Sequence, residues 1–167
     1  AGVIEAIEET GLADVPFAKG DRVGFADSPC ANAELVSVPI EKLIPLLVKD
    51  FESAPDPKLA EQVGLLKAWD YRWSDHSLPT SLAVFWGEAL WDKVAPAAKA
   101  AHAQVLDYMI SSATGAQRLA ALGEASARLE QDFGNWRTPW GEINRFQRND
   151  GAIVQTFDDA KPSLPVP

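Results

Sequence analysis

The chain changes its period once, near Gly134. Before that point apolar residues recur at helical spacing: Leu59, Val63, Leu66 and Trp69, then Leu82, Phe85, Trp86, Ala89 and Leu90, then Leu119, Leu122, Ser126, Leu129 and Phe133. After it, Ile143, Arg145 and Gln147 alternate with Asn144, Phe146 and Arg148, which is strand period. Asn149-Asp150-Gly151 has the composition of a tight hairpin turn, and Ala152 to Phe157 can form the returning strand. Two strands alone are marginal in water. Such a hairpin needs either the helices beneath it or a larger sheet outside this chain. The fold class expected is α+β, a mostly helical segment followed by a β-hairpin.

The helices carry their own boundaries. Leu43, Leu46, Leu47 and Phe51 mark a helix within Leu35 to Phe51, with Pro39 and Pro45 limiting where it can start. Asp56-Pro57 opens the next: the Asp accepts an orphan N–H, and Pro at the first helical position loses nothing. That helix is expected to end near Tyr71. Ser77 caps a third, with Pro79 in its first turn and Pro96 interrupting it. A further helix is expected from about Ala97 to Ser111, with Ala101, Val105, Tyr108 and Met109 on one side. Thr114 to Gln117 has capping-box form, and Gly134 is the expected C-terminal cap of the helix so opened. Three parts follow: a poorly defined segment 1–34, in which AGVIEAIEETG suits a short helix ending near Gly11, a helical layer 35–134, and a corner, hairpin and extended tail 135–167.

Composition narrows the function classes. Apolar residues make up 47% of 167, enough for one core. A net charge of −9, with 15 scattered basic residues, argues against nucleic acid as a partner. No apolar run reaches the ~20 residues that span a bilayer, so no membrane role is expected. The N-terminus carries three glutamates by position 9 and has no basic start, unlike a signal peptide. The chain begins without Met and ends in SLPVP, which reads as a processed chain or an excised piece. Cys30 is the only cysteine, so no internal disulfide forms, and it reads as a small hydrophobe.

Few residues suggest chemistry. Asp75-His76-Ser77 has the residue types of a hydrolytic triad, but consecutive side chains point apart, and a capped interhelical loop explains it better. His102, read as mid-helix, has Ala98 and Leu106 at its spacing positions and no second ligand. Asp158-Asp159 offers too few oxygens for Ca²⁺. Asp70 and Arg72 suit an ion pair, and an Arg over an indole suits the tryptophan-rich stretch. The six tryptophans (69, 73, 86, 91, 136, 140) either line a pocket or fill the core. No glycine-rich phosphate loop, HExxH, CxxC or GxSxG string occurs, and no cofactor or metal is expected. No catalytic residue can be assembled from these residues alone.

Three strings in order are more specific. LLKAWDYRWSDHSLPTSLAVFWGEALW (Leu65 to Trp91), PWGEINRFQR (Pro139 to Arg148) and FDDAKPSLPVP (Phe157 to Pro167) resemble the penicillin acylase family of N-terminal nucleophile hydrolases. That family includes acylases acting on penicillins, cephalosporins and acyl-homoserine lactones. The resemblance covers roughly Leu35 to Pro167 and falls within the β chain. It implies an αββα sandwich of which this chain is part, and hydrolysis of a linear amide through an acyl-enzyme on an N-terminal Ser. It implies an oxyanion hole built from a backbone N–H and an Asn.

The chain starts at Ala1, and neither the nucleophile nor that Asn carries over to any position here. The resemblance further implies that the chain works with the α chain and the nucleophile-bearing part of the β chain, in the periplasm, and self-associates when isolated. Trp136, Trp140 and Gly141 are then the joint between helices and sheet, with Glu142 and Arg145 as polar supports. Two other readings stay open from the residues: a non-catalytic helical interaction module, or an enzyme using His76 or His102.

Overall fold

A computed structural model describes residues 2–3, 22–23, 33–147, 158 and 160–167. The chain divides into two compact units, Ala1–Val38 and Pro39–Pro167. In the first, strand β1 (Gly2–Val3) pairs antiparallel with β2 (Arg22–Val23), Gly2 opposite Val23 and Val3 opposite Arg22. The helix expected to begin at Ala1 is therefore a strand at its described start. Gly2 is a poor helix former and β-branched Val3 suits a strand. Residues 4–11, and Cys30, lie outside the described residues.

The second unit is a layer of helices around one central helix. Helix α1 (Ala33–Ser53) contains both prolines that were expected to delay its start. Pro45 removes a hydrogen bond to Glu41, but both residues are exposed, so water reaches the freed carbonyl. Ile40, Leu43, Ile44 and Leu47 form the buried stripe. Asp56 caps a 3-10 turn (Pro57–Leu59) by accepting from the Lys58 N–H at 3.0 Å, and α2 (Ala60–Lys67) follows directly. It ends four residues before Tyr71. The Ala68 N–H bonds back to the Gly64 carbonyl, Trp69 turns in, and the chain leaves the helix.

Helix α3 (Leu78–Ala100) is the axis. Every residue from Thr80 to Gly87 is buried, as are Leu90, Val94 and Ala98. A helix buried around its circumference must be enclosed, and α3 touches α2, α4, α5 and α6. Pro96 does not interrupt it. The proline and Asp92, whose carbonyl it leaves free, are both exposed, while Val94 and Ala98 hold the flanking turns in the core.

The helix stops instead at His102. This residue has φ 52°, its N–H bonds the Lys99 carbonyl, and the Ala103 N–H bonds the Ala98 carbonyl. That is a Schellman cap with His in the place glycine usually takes. The helix expected over 97–111 is thus two helices, α3 and α4 (Val105–Ser111), with residues 101–104 between them. The periodic alanines on either side hid the stop, because nothing in His signals left-handed backbone.

Thr114 opens α5 (Gly115–Phe133) with both halves of a capping box, and Gly134 closes it at φ 77°. The buried stripe is Arg118, Ala121, Leu122, Ala125 and Leu129. Leu119 and Ser126 are half-buried and Phe133 is exposed, so the stripe is turned slightly from the one expected. The reason is Arg118. Its Nε donates to Asp50 Oδ2 of α1 at 2.7 Å and its Nη1 to the Met109 carbonyl of α4 at 3.2 Å. Its own carbonyl accepts from the Trp86 indole of α3 at 3.0 Å. A buried guanidinium whose Nε meets a carboxylate and whose Nη1 meets a carbonyl is held toward the core.

Beyond Gly134, residues Trp140–Ile143 form one turn of helix, α6, and only β3 (Arg145–Phe146) is strand. Its partner is β4 (Leu164–Pro165), with Arg145 opposite Pro165 and Phe146 opposite Leu164. The turn at Asn149-Asp150-Gly151 and the strand expected at Ala152 to Phe157 lie outside the described residues. The tail, which showed no obvious last element in sequence, is itself a strand. The class is α+β, helices with a short antiparallel pair. No helix among the described residues is long and apolar enough to cross a membrane.

Two stability effects follow. Asp50→Ala leaves Arg118 buried without its carboxylate and is expected to cost about 3 kcal/mol, read as a lower denaturant midpoint at unchanged slope. His102→Gly removes a left-handed penalty of roughly 1–2 kcal/mol and adds a glycine entropy cost of roughly 0.5–1. A net gain of about 0.5–1 kcal/mol in thermal or chemical unfolding is expected.

Candidate functional site

His102 stands past the C-terminal end of α3, while most residues singled out in the two tryptophan-rich stretches gather at its N-terminal end. Three segments converge there: the loop 68–77, the corner 134–144, and the tail 160–167. The loop is wound tightly. The Asp70 carboxylate accepts from the Arg72 N–H at 3.0 Å, and the Arg72 carbonyl accepts from the Trp69 indole at 3.1 Å. Between them Tyr71 is held at φ 61°, a conformation that costs an aromatic residue roughly 1–2 kcal/mol. Its ring lies 5.3 Å from that of Trp69. The Asp70–Arg72 ion pair forms at 3.7 Å but is well exposed, so it adds little.

The corner docks onto this loop through its backbone. The Trp140 N–H bonds the Ser77 carbonyl at 3.1 Å and the Gly141 N–H bonds the Asp75 carbonyl at 2.7 Å. Trp140 is 1% exposed, with its ring edge-to-face with Trp73 at 5.5 Å. Gly141 has no room for a side chain. A Cβ there would come within 2.7 Å of the Pro165 Cβ, 2.8 Å of the Asp75 Cβ and 2.9 Å of the Asp75 carbonyl oxygen. Loop, corner and tail therefore share one point of contact.

The tail is tied down by Arg145 and Asn144. Arg145 Nε donates to Ser163 Oγ at 2.7 Å, Nη2 to the Ser163 carbonyl at 2.8 Å, and Nη1 to the Gly141 carbonyl at 3.1 Å. The Val166 N–H bonds the Asn144 carbonyl at 2.9 Å, and Asn144 Nδ2 donates to the Val166 and Pro167 carbonyls. Gln147, 6% exposed, accepts from the Asp158 N–H and donates to the Asp158 and Lys161 carbonyls.

These assignments decide the sequence candidates. Asp75, His76 and Ser77 are not a triad. Ser77 Oγ accepts from the Thr80 N–H and the Thr80 hydroxyl, so it is a helix cap. His76 is exposed and among the described residues its Nε2 lies 3.7 Å from Asp75 Oδ2. His102 is a backbone cap far from mid-helix. Asp158 Oδ1 accepts from the Ala160 N–H, a turn contact, and Asp159 lies outside the described residues. Among the described residues no group of three His, Cys, Asp or Glu can hold a metal.

The tryptophans divide. Trp69, Trp86 and Trp140 are core, and Trp91 is 41% exposed. The guanidinium over an indole is Arg137 on Trp136, at 4.9 Å, rather than Arg72. Glu142 is exposed, and of the two expected polar supports Arg145 is the one that binds the tail. Asn144, Gln147 and Ser163 were missed. Gln147 and Arg145 share a strand face, but nothing local shows that both reach the tail.

Gly141→Ala forces the loop and the tail off the corner and is expected to cost about 3 kcal/mol. The specific signature is lost protection of the Val166 and Gly141 amides in hydrogen exchange, with α5 amides retained.

With this geometry in place, comparison with known proteins adds one match. A family model described as penicillin amidase matches residues 16–165, most of the chain. No curated protein matches it.

Proposed function

The chain belongs to the penicillin amidase family, hydrolases of amide bonds, and from that membership we propose that it is the helical and corner-forming part of an acylase. The reaction proposed is hydrolysis of a linear amide in an acylated small molecule, a β-lactam antibiotic or an N-acyl-homoserine lactone. The nucleophile is an N-terminal Ser carried outside these residues, whose own α-amine takes the proton as it attacks the carbonyl. The acyl-enzyme is then released by water.

One observation carries the assignment of roles. Several polar residues of the sequence stretches that resemble the acylases hold backbone: Ser77 as a cap, Asp70 in its own turn, Arg145 and Asn144 on the tail. In this reading the loop 68–77 and the corner fix a rigid platform, and the reacting groups come from the rest of the acylase. Rigid support of this kind is what holds a catalytic constellation to the tolerance chemistry requires.

The test is hydrolysis of penicillin G and of N-acyl-homoserine lactones, followed by chromatography of the released acid. The chain alone is expected to give no turnover. Combined with the Ser-bearing remainder of the acylase it is expected to give turnover that His76→Ala and His102→Gly leave unchanged. Hydrolysis by the chain alone, lost on His76→Ala, would replace this reading with one in which His76 acts as the base.

A further inference from the structure

The tail lies on the corner as a bound peptide lies on its receptor. Its own side chains are little buried: Lys161, Pro162 and Pro165 are exposed, Leu164 is 67% exposed, and Ser163 and Val166 are half-buried. What holds it is a set of hydrogen bonds from one short stretch of chain. Gln147 Nε2 donates to the Asp158 and Lys161 carbonyls, Arg145 Nη2 to the Ser163 carbonyl, and Asn144 Nδ2 to the Val166 carbonyl. Each of these acceptors is backbone. Such bonds fix an extended path without demanding particular side chains along it, which is how a sheet edge takes up a foreign strand.

Two tail positions are read by more than their backbone. Arg145 Nε donates to Ser163 Oγ at 2.7 Å, a charge-assisted bond. Pro165 is pressed against Gly141, where a Cβ would come within 2.7 Å of its own. Leu164, between them, points away and is not read. The corner's own anchorage is independent of the tail, because the Trp140 and Gly141 N–H groups bond the Ser77 and Asp75 carbonyls. A seat tied down in this way keeps its shape whichever segment fills it.

We propose that residues 141–147 form a peptide seat for an extended Ser-x-Pro segment of a protein chain, and that the tail is its resident, self-inhibiting occupant. A second segment of that pattern enters by displacing the tail. The tail, joined to the seat through residues 148–157, competes at an effective concentration on the order of mM. An incoming segment must match that level or be delivered by a partner already bound nearby. The seat is separate from the proposed acylase chemistry and does not depend on it.

The probe is the unlabelled peptide DDAKPSLPVP, residues 158–167 with both ends blocked, added to the ¹⁵N-labelled full chain. As the peptide takes the seat, the labelled Leu164 and Val166 amides are expected to move saturably to the positions of free chain, half-way at roughly 10 mM. The Gly141 and Leu122 amides are expected to stay where they are. A Ser163→Ala peptide loses the charge-assisted bond and is expected to be about tenfold weaker. A Leu164→Lys peptide alters a side chain that the seat leaves exposed and is expected to displace the tail equally well. Leu164 and Val166 signals that hold still through ~50 mM peptide overturn the proposal. So does a Ser163→Ala peptide as effective as the original, or a Leu164→Lys peptide weakened tenfold, since displacement would then follow apolar adhesion and not the Ser-x-Pro pattern.

Discussion

The helical layer depends on one buried cation. Arg118 is 7% exposed, and taking a guanidinium out of water costs several kcal/mol unless its surroundings pair it. Asp50 of α1 and the Met109 carbonyl of α4 supply that pairing, and the Trp86 indole of α3 donates to the backbone carbonyl of the same residue. The geometry is demanding, since a carboxylate at 2.7 Å and a carbonyl at 3.2 Å must be met together by one planar group. Apolar contacts along α3 would tolerate sliding of α1 or α5 by a fraction of a turn. The Arg118 network does not, because a slide strands a charge. Its effect is registry as much as stability, and the cap at Thr114 places the start of α5 so that Arg118 faces inward.

The other end of α3 is fixed by a different constraint, the absence of space at Gly141. Backbone bonds from Trp140 and Gly141 to the loop bring two chain segments to within van der Waals limits, and Pro165 closes the third side. The strand pair that results is two residues long on each side, too short to hold itself. It persists because Arg145 and Asn144 convert the tail into part of the corner. Phe146 and Leu164, directly opposed, remain 60% and 67% exposed. This end of the molecule is therefore rigid in its backbone and apolar on its surface. Both properties agree with the proposed place of the chain as the support of an acylase site.

Much of this was legible in local chemistry. Asp56-Pro57, Ser77 with Pro79, the Thr114–Gln117 box and Gly134 each satisfy or bound helix termini by groups within three residues, so sequence reveals them. Pro45 and Pro96 misled, because a proline's cost depends on whether the carbonyl it frees is wet, and exposure is not a local property. His102 misled for the opposite reason. Its left-handed backbone is imposed by the termination of α3, and a histidine gives no sign of it. The pairing of Arg145 with the tail was not legible either. A tail of Pro, Ser, Leu and Val reads as extended, and extended chain reveals nothing about what it pairs with.

The triad-like loop illustrates the division. Sequence already favoured Ser77 as a helix cap over a catalytic reading of Asp75, His76 and Ser77, and the three-dimensional contacts added that the Asp75 carbonyl is given to Gly141. By itself the sequence determined most helix starts, the caps at Asp56, Ser77, Thr114 and Gly134, and, through specific strings, the family. Those depend on contacts a few residues apart or on long matched patterns. Tertiary structure alone decided which face of α5 turns inward, that the tail is a strand, and that the corner has no room for a β-carbon. Each of these is a meeting of segments distant in the chain, and no local preference encodes the meeting.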